Sequence, residues 1–192
     1  HWSRLERAPV ARAPGRGQRV VAVINSARMS LDVLGLDHLY VTVSDLGRSE
    51  RFYDPVMRAF GFRKRARPLG GDPHIHYFNR VLQYTLRPAR DASGATADAY
   101  RVGSLHHLCF RVSDAAAVDE AYRQLRALGV EATEPALYPE YRPDYRATFF
   151  TDPDGIRLEV VCDTNARRLI RERWDELTEF DDPVTHLSER DL

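Results

Sequence analysis

Two histidines, a glutamate and a glutamine stand at matching places in a sequence that says nearly the same thing twice. Leu36-Asp37-His38-Leu39-Tyr40-Val41-Thr42-Val43-Ser44-Asp45 returns 69 residues later as Leu105-His106-His107-Leu108-Cys109-Phe110-Arg111-Val112-Ser113-Asp114 (107 − 38). A second echo closes each copy, with Val81-Leu82-Gln83-Tyr84 answered by Arg157-Leu158-Glu159-Val160. A ligand-type residue at equivalent positions of two repeats is harder to dismiss as chance than a lone one. Two imidazoles and a carboxylate suit a divalent transition metal, and Gln83 adds a neutral oxygen. Such a set leaves coordination positions open for water or substrate, as a catalytic metal site requires.

The elements that position these residues follow from periodicity. The segment 36–44 alternates with period two, so Leu39, Val41 and Val43 share the apolar side and His38, Tyr40 and Thr42 the other. In the second copy Leu108, Phe110 and Val112 are apolar, leaving His107, Cys109 and Arg111 together. His106 is expected on the apolar side, under the helix. The closing strands oppose Gln83 and Thr85 to Leu82, Tyr84 and Leu86, and Arg157 and Glu159 to Ile156, Leu158 and Val160. His38, Gln83, His107 and Glu159 therefore all fall on the face away from the helices. If the two sheets curve toward each other, they converge on one cavity.

Each copy reads strand, helix, then three strands. The first helix is opened by Ser44 or Asp45, faces inward with Phe52, Val56 and Phe60, and stops at Gly61, with Pro55 expected to kink or shorten it. Strands are predicted near 62–67, 74–79 and 81–87. In the second copy Ser113 is the expected cap of a helix carrying Val118, Tyr122, Leu125 and Leu128, which Gly129 ends. Strands are predicted at 130–133, 146–151 and 156–161, with a turn at Asp152-Pro153-Asp154-Gly155. Ile170, Trp174 and Leu177 mark a C-terminal helix whose apolar stripe packs on the domain or on a partner subunit. The predicted organisation is an N-terminal extension over 1–30, modules over 34–88 and 104–163 joined by a linker over 89–103, a helix over 164–180 and a tail over 181–192.

Residues 1–28 differ from the rest: prolines, glycines and six arginines stand against one acid, Glu6. The folded domain is expected to start near Met29, the preceding segment being flexible or non-native. The rival reading is an ordered arm with Val20 to Ile24 as an edge strand.

The chain of 192 residues has a formal net charge of zero, with 43% hydrophobic and 29% charged residues. That balance argues against nucleic acid or an anionic membrane as partner. Lys64 is the only lysine among the 28 basic residues. Two cysteines, Cys109 and Cys162, are too few for a disulfide framework, and the run from Val20 to Ile24 is too short for a signal-peptide core or a span. A cytoplasmic location is the expectation.

This organisation resembles the vicinal oxygen chelate superfamily, which includes glyoxalase I, extradiol dioxygenases, fosfomycin-resistance thiol transferases and bleomycin-binding proteins. The resemblance runs from about Leu34 to Asp163. It is carried by Leu36-Asp37-His38-Leu39, Leu105-His106-His107-Leu108 and above all Phe149-Phe150-Thr151-Asp152-Pro153-Asp154-Gly155-Ile156-Arg157-Leu158-Glu159. It implies an α+β fold of two βαβββ modules forming an open, barrel-like mixed-sheet cleft, often in a homodimer. It places His38, His107 and Glu159 at the metal-ligand positions, and Gln83 where several members carry a fourth ligand. The metal would be Fe, Mn, Ni, Co or Zn, chelating vicinal oxygens of a small-molecule substrate and acting as a Lewis acid.

Gln83 departs from a glyoxalase-type isomerase, which needs carboxylates near the metal to move a proton. Glu159 would serve alone, or with Tyr141, as the proton-handling group. A dioxygenase-like or lyase/isomerase-like metalloenzyme is the leading expectation. The alternative is a non-catalytic binder of the bleomycin-resistance type that sequesters a small molecule.

Other residues have two readings each. Gln83 is a ligand or a satisfied amide of the cavity wall. His76, with His74 and Tyr40, lines the cavity or is a surface residue. Arg111 holds an anionic substrate group or joins a charge pair. The loop Leu137-Tyr138-Pro139-Glu140-Tyr141-Arg142-Pro143-Asp144-Tyr145 offers Tyr138 and Tyr141 as an aromatic lid, or is a surface loop or dimer contact. Cys109 reads as a small packing residue.

Overall fold

A computed structural model of the chain describes residues 33–91 and 97–181, and the compact unit that holds every element below is Gly35–Leu192. The predicted extension over 1–30, the edge strand from Val20 to Ile24, part of the linker and nearly all of the 181–192 tail lie outside the described residues.

The first module runs β1 (His38–Val43), α1 (Leu46–Ala59), β2 (Arg63–Ala66), β3 (Ile75–Phe78) and β4 (Gln83–Pro88). The second runs β5 (Leu108–Val112), α2 (Ala115–Ala127), β6 (Ala136–Leu137), β7 (Arg146–Thr151) and β8 (Arg157–Cys162). Each module is one four-stranded mixed sheet, ordered β1-β4-β3-β2 and β5-β8-β7-β6, with the first and last strands parallel. This is the α+β arrangement of two βαβββ modules that the repeat implied. The two sheets are separate, with no closed barrel among the described residues.

The repeat extends to how the helices begin and end. Asp45 caps α1 by accepting from the Arg48 amide at 2.9 Å, and Asp114 caps α2 by accepting from the Ala117 amide at 2.8 Å. Ser113, the expected cap, instead donates to the Asp114 carboxylate. A carboxylate accepts the orphan amide and keeps a second oxygen for the hydroxyl. Each helix is closed by a glycine in the left-handed region, Gly61 at φ 80° and Gly129 at φ 77°. There Phe62 N donates to Met57 O, and Val130 N to Leu125 O, both at 2.9 Å. Despite Pro55, α1 stays one helix of 14 residues. Burial of Tyr53, Val56 and Met57 around the proline outweighs the single backbone bond it cannot make.

Two other boundaries differ from expectation. Residues 130–133 give only a bridge from Ala132 to Phe150, and the edge strand lies later, at Ala136–Leu137. The C-terminal segment is α3 (Asn165–Glu172), capped by Thr164, followed by a 3-10 turn over Trp174–Glu176. Ala166 is buried there, whereas Trp174 is exposed.

Both helices and the apolar faces of both sheets close into one core. Tyr53, Val56 and Met57 meet Tyr84 and Leu86 in the first module, and Val118 and Leu125 meet Leu158 and Val160 in the second. Phe110 joins the halves, with its ring 5.5 Å from Phe60 and 6.3 Å from Tyr84. The turn before β8 locks the same junction. Asp152 accepts from the amides of Asp154 and Ile156, and Tyr53 reaches across to donate to its other oxygen at 3.0 Å. Asp154 accepts from the Ser44 amide and hydroxyl, and its carboxylate pairs with Arg48. With the apolar faces turned to a shared core, the polar faces of both sheets turn away from it.

Candidate functional site

On the second sheet, His107 immediately precedes β5, and Glu159 lies in β8 opposite Cys109. His107 Nε2 stands 3.5 Å from Glu159 Oε2. Two donors each about 2.1 Å from one cation at tetrahedral or octahedral angles lie about 3.0–3.4 Å apart, so this pair fits a shared metal ion. Glu159 is only 3% exposed. Its other oxygen, Oε1, accepts a 2.7 Å hydrogen bond from the Tyr145 hydroxyl. Burial first, then donation to Glu159, holds the Tyr145 phenol well above the ordinary tyrosine range, so it stays a donor at neutral pH. Burial first, then the Glu159 charge, likewise pushes the Cys109 thiol well above its ordinary value. Cys109 is a protonated packing residue rather than a nucleophile.

On the first sheet, His38 and Gln83 are cross-strand neighbours in register on β1 and β4. His38 Nδ1 lies 2.8 Å from Asp37 Oδ2, so the imidazole donates from Nδ1 and keeps the Nε2 lone pair. Nδ1 of His107 is also engaged, 2.7 Å from Nδ1 of His106, with one ring donating and the other accepting. In both copies the preceding residue occupies the same ring nitrogen of the candidate ligand. His106 does not point under α2 as alternation suggested. It is exposed, because both histidines precede the first residue of β5 and strand parity does not reach them.

A cavity of about 1130 Å³ opens over His107 and Glu159. Tyr141, Tyr145, Phe149 and Phe150 give it aromatic walls, and Glu131, Glu140, Arg142 and Arg157 a charged rim. Arg157 lies over the Tyr100 ring, 5.2 Å from its centroid. All of its lining residues belong to the second module. Among the described residues no three His, Cys, Asp or Glu side chains gather as a cation-holding group. The chain thus pairs His107 with Glu159, and His38 with Gln83, but does not bring the two pairs to one cavity. The cause lies in the core, which holds both polar faces outward.

The remaining candidates fall as follows. Tyr141 lines the cavity, 63% exposed, with its ring 5.2 Å from Tyr145. Tyr138 packs edge-on against Phe149. It is Tyr145, not Tyr141, that touches Glu159. Counting back from Phe149, which opposes Glu159, would have placed Tyr145 on that face. Arg111 pairs with Asp163 at 3.5 Å and lines a smaller cavity of about 490 Å³. On the first sheet Tyr40 sets its ring edge-on to His38 and to His74. His76 is buried, and its Nδ1 is 3.0 Å from Thr85 Oγ1, which also accepts from the Gln83 amide at 3.1 Å. No helix among the described residues is long and apolar enough to cross a membrane.

Known structures share this architecture. A glyoxylase/bleomycin resistance protein/dioxygenase domain from Frankia sp. EAN1pec is 24% identical, with a TM-score of 0.58 over 69% of this chain and 100% of that one. A putative glyoxalase from Bacillus halodurans is 24% identical, with a TM-score of 0.52 over 67% of this chain and 95% of that one. A mutant of the fosfomycin resistance protein FosX from Listeria monocytogenes was solved with Mn(II) and 1S,2S-dihydroxypropylphosphonic acid. It is 20% identical, with a TM-score of 0.52 over 72% of this chain and 98% of that one. At these identities the likeness is one of fold. A family model matches directly over residues 35–160, and the chain belongs to the Glyoxalase/Bleomycin resistance protein/Dioxygenase superfamily.

Proposed function

We propose that this protein is a metal-dependent enzyme acting on a small oxygen-bearing molecule, and that two copies of the chain pair to complete its site. The observation that carries this reading is the His107 Nε2 to Glu159 Oε2 separation of 3.5 Å at the base of an aromatic-walled cavity. His107 and Glu159 of one copy would hold the metal with His38 and Gln83 of the other. The outward polar faces support pairing, because each half-site is open on the side a second sheet would cover. Bound there, a divalent ion supplies Lewis-acid polarisation of vicinal substrate oxygens. FosX, which shares the fold, was solved with Mn(II).

The chain's own groups divide the remaining work. Asp37 and His106 hold Nδ1 of the two imidazoles, so each presents Nε2 in a fixed orientation. Tyr145 occupies Oε1 of Glu159 and leaves Oε2 facing His107. Phe149 and Tyr141 line the cavity and supply stacking faces. Tyr145, which donates to Glu159, is the proton-bearing group in contact with the ligand pair, and Glu159 would itself be the base. A dioxygenase-like or lyase/isomerase-like reaction fits this set.

Elemental analysis of protein purified without chelators tests the reading, beside a His38→Ala, His107→Ala double variant. Near-stoichiometric metal, lost in the double variant, is the expected result. No metal after reconstitution with Fe, Mn, Ni, Co and Zn would leave ligand sequestration as the function.

A further inference from the structure

The outer face of the first sheet is strongly cationic, and none of the ligand geometry above explains that. Register places its residues in rows across the four strands. Arg65 faces His76, His76 faces Thr85, and Thr85 faces Tyr40. The adjacent row is Arg63, Phe78, Gln83 and His38. Beyond the first row the Arg67 amide donates to the His74 carbonyl, and Arg87 lies opposite Thr42. Parity is confirmed from the other side: Lys64, between Arg63 and Arg65, turns to the helix and pairs with Glu50 and Asp54 of α1.

The face is a floor of rings under an arginine edge. His74 and His76 are stacked, with centroids 6.0 Å apart and planes 7° from parallel, and each is only 7% exposed. Two imidazoles buried together beside arginines make poor company for one another. Burial first, then the positive field of His74, Arg67 and Arg65, holds His76 below the ordinary histidine range. The acids here are few: Asp72 lies 3.4 Å from Arg87, and Asp37 is held by His38. Among the described residues neither Arg65 nor Arg67 pairs with a carboxylate, whereas Arg87 of the same sheet is held by Asp72. Two arginines without a carboxylate partner, both close enough to bias His76, beside a buried, hydrogen-bonding floor have the chemistry of an oxyanion site.

We propose that this face holds the acidic group of the substrate, a small molecule bearing a carboxylate or phosphonate, with Arg65 and Arg67 as its partners above the His74–His76 floor. The molecule is compact, because the whole face spans about 14 Å across three strand spacings. The anion lies one row from His38 and Gln83, so the metal-chelating oxygens and the acidic group belong to one substrate. That placement rests on the metal-site reading; anion binding by the face does not.

The test uses the metal-free protein and measures calorimetric binding of lactate, methylphosphonate and propylene glycol, the last being lactate with its carboxylate replaced by an uncharged carbinol. At least one anion binds and the glycol does not, and the stronger of the two names the acid class. Arg65→Ala with Arg67→Ala weakens that binding about tenfold or more, the loss expected for a charge-assisted pair. Arg58→Ala with Arg126→Ala, removing exposed arginines from the last turns of α1 and α2, leaves it unchanged. The inference is overturned if neither anion binds, if the glycol binds as well as lactate, or if both double variants weaken binding alike. Metal content of the Arg65, Arg67 variant is measured in parallel. Normal metal uptake on reconstitution with lost anion binding separates this inference from the metal site, and anion binding by a protein that takes up no metal on reconstitution would sink only the metal-site reading.

Discussion

Replacing Tyr145 with Phe removes one oxygen and one hydrogen bond, that from the phenol to Glu159 Oε1 at 2.7 Å. The distance lies at the short end expected when a hydroxyl donates to an ionised carboxylate. Such a bond contributes about 1.5–3 kcal/mol, and Glu159 is too buried for bulk water to substitute freely. Converted at about 1.4 kcal/mol per decade, metal affinity should fall roughly ten- to a hundredfold. That range agrees with the cost typical of losing a partner behind a metal ligand. The assay is competition for Mn(II) against a chelating dye, with thermal denaturation of the metal-free protein alongside. Tyr141→Phe is the matched control, since Tyr141 lines the same cavity but makes no contact with Glu159. Unchanged affinity in Tyr145→Phe, or equal losses in both variants, would refute the assignment of Tyr145 as the group that orients Glu159.

Three further outcomes are expected. Mixing equal amounts of His38→Ala and His107→Ala protein, after exchange of subunits, should recover about a quarter of the wild-type metal content, because roughly half of the pairs are mixed and one of the two sites in a mixed pair keeps all four ligands; recovery of none would exclude pairing of half-sites. Asp154→Ala should destabilise the fold by about 2 kcal/mol through loss of the Ser44 and Arg48 contacts. At this chain length that corresponds to a Tm lowered by about 4–8 °C, and an unchanged Tm would show the contacts to be idle. Burial raises Asp152 above its ordinary value of 3.8. The folded state therefore keeps its proton where the unfolded state has lost it, and stability falls as pH rises through the window that opens at 3.8. Asp152→Asn should flatten that slope in urea titrations across the acidic range, and an identical slope would disprove the shift.

The fold was largely legible because its determinants are local. Period-two strands, carboxylates or hydroxyls before each helix and glycines after each are read within a few residues of their effect, and the repeat doubled every signal. The Ser113 expectation failed on a competition between adjacent caps, which the longer-reaching Asp114 carboxylate wins. Parity also put His38 beside Gln83, which are register neighbours, whereas His107 reaches Glu159 from one residue before the ladder begins. Parity could not show which way a whole sheet faces. That depends on the core shared by Phe60, Tyr84, Phe110 and Phe150, whose partners are far apart in sequence. The same limit explains the loop tyrosines: three in nine residues have the right chemistry, and only the path of the chain into β7 selects Tyr145. His106 escaped parity because a residue outside the ladder does not obey it.

The turn Asp152-Pro153-Asp154-Gly155 has a consequence for how such proteins can be recombined. Its two carboxylates answer to Ser44, Arg48 and Tyr53, all at the start or in the body of α1, while the glutamate a few residues on serves the site. A chimera that transplants β8 with its turn, but takes its first half from another sequence, would import the ligand while Asp154 loses its Ser44 and Arg48 donors and Asp152 loses Tyr53, keeping only the amides of its own turn. Module shuffling in this architecture is therefore constrained less by the ligand positions, which any copy can supply, than by a handshake between one helix and one turn that must be inherited together.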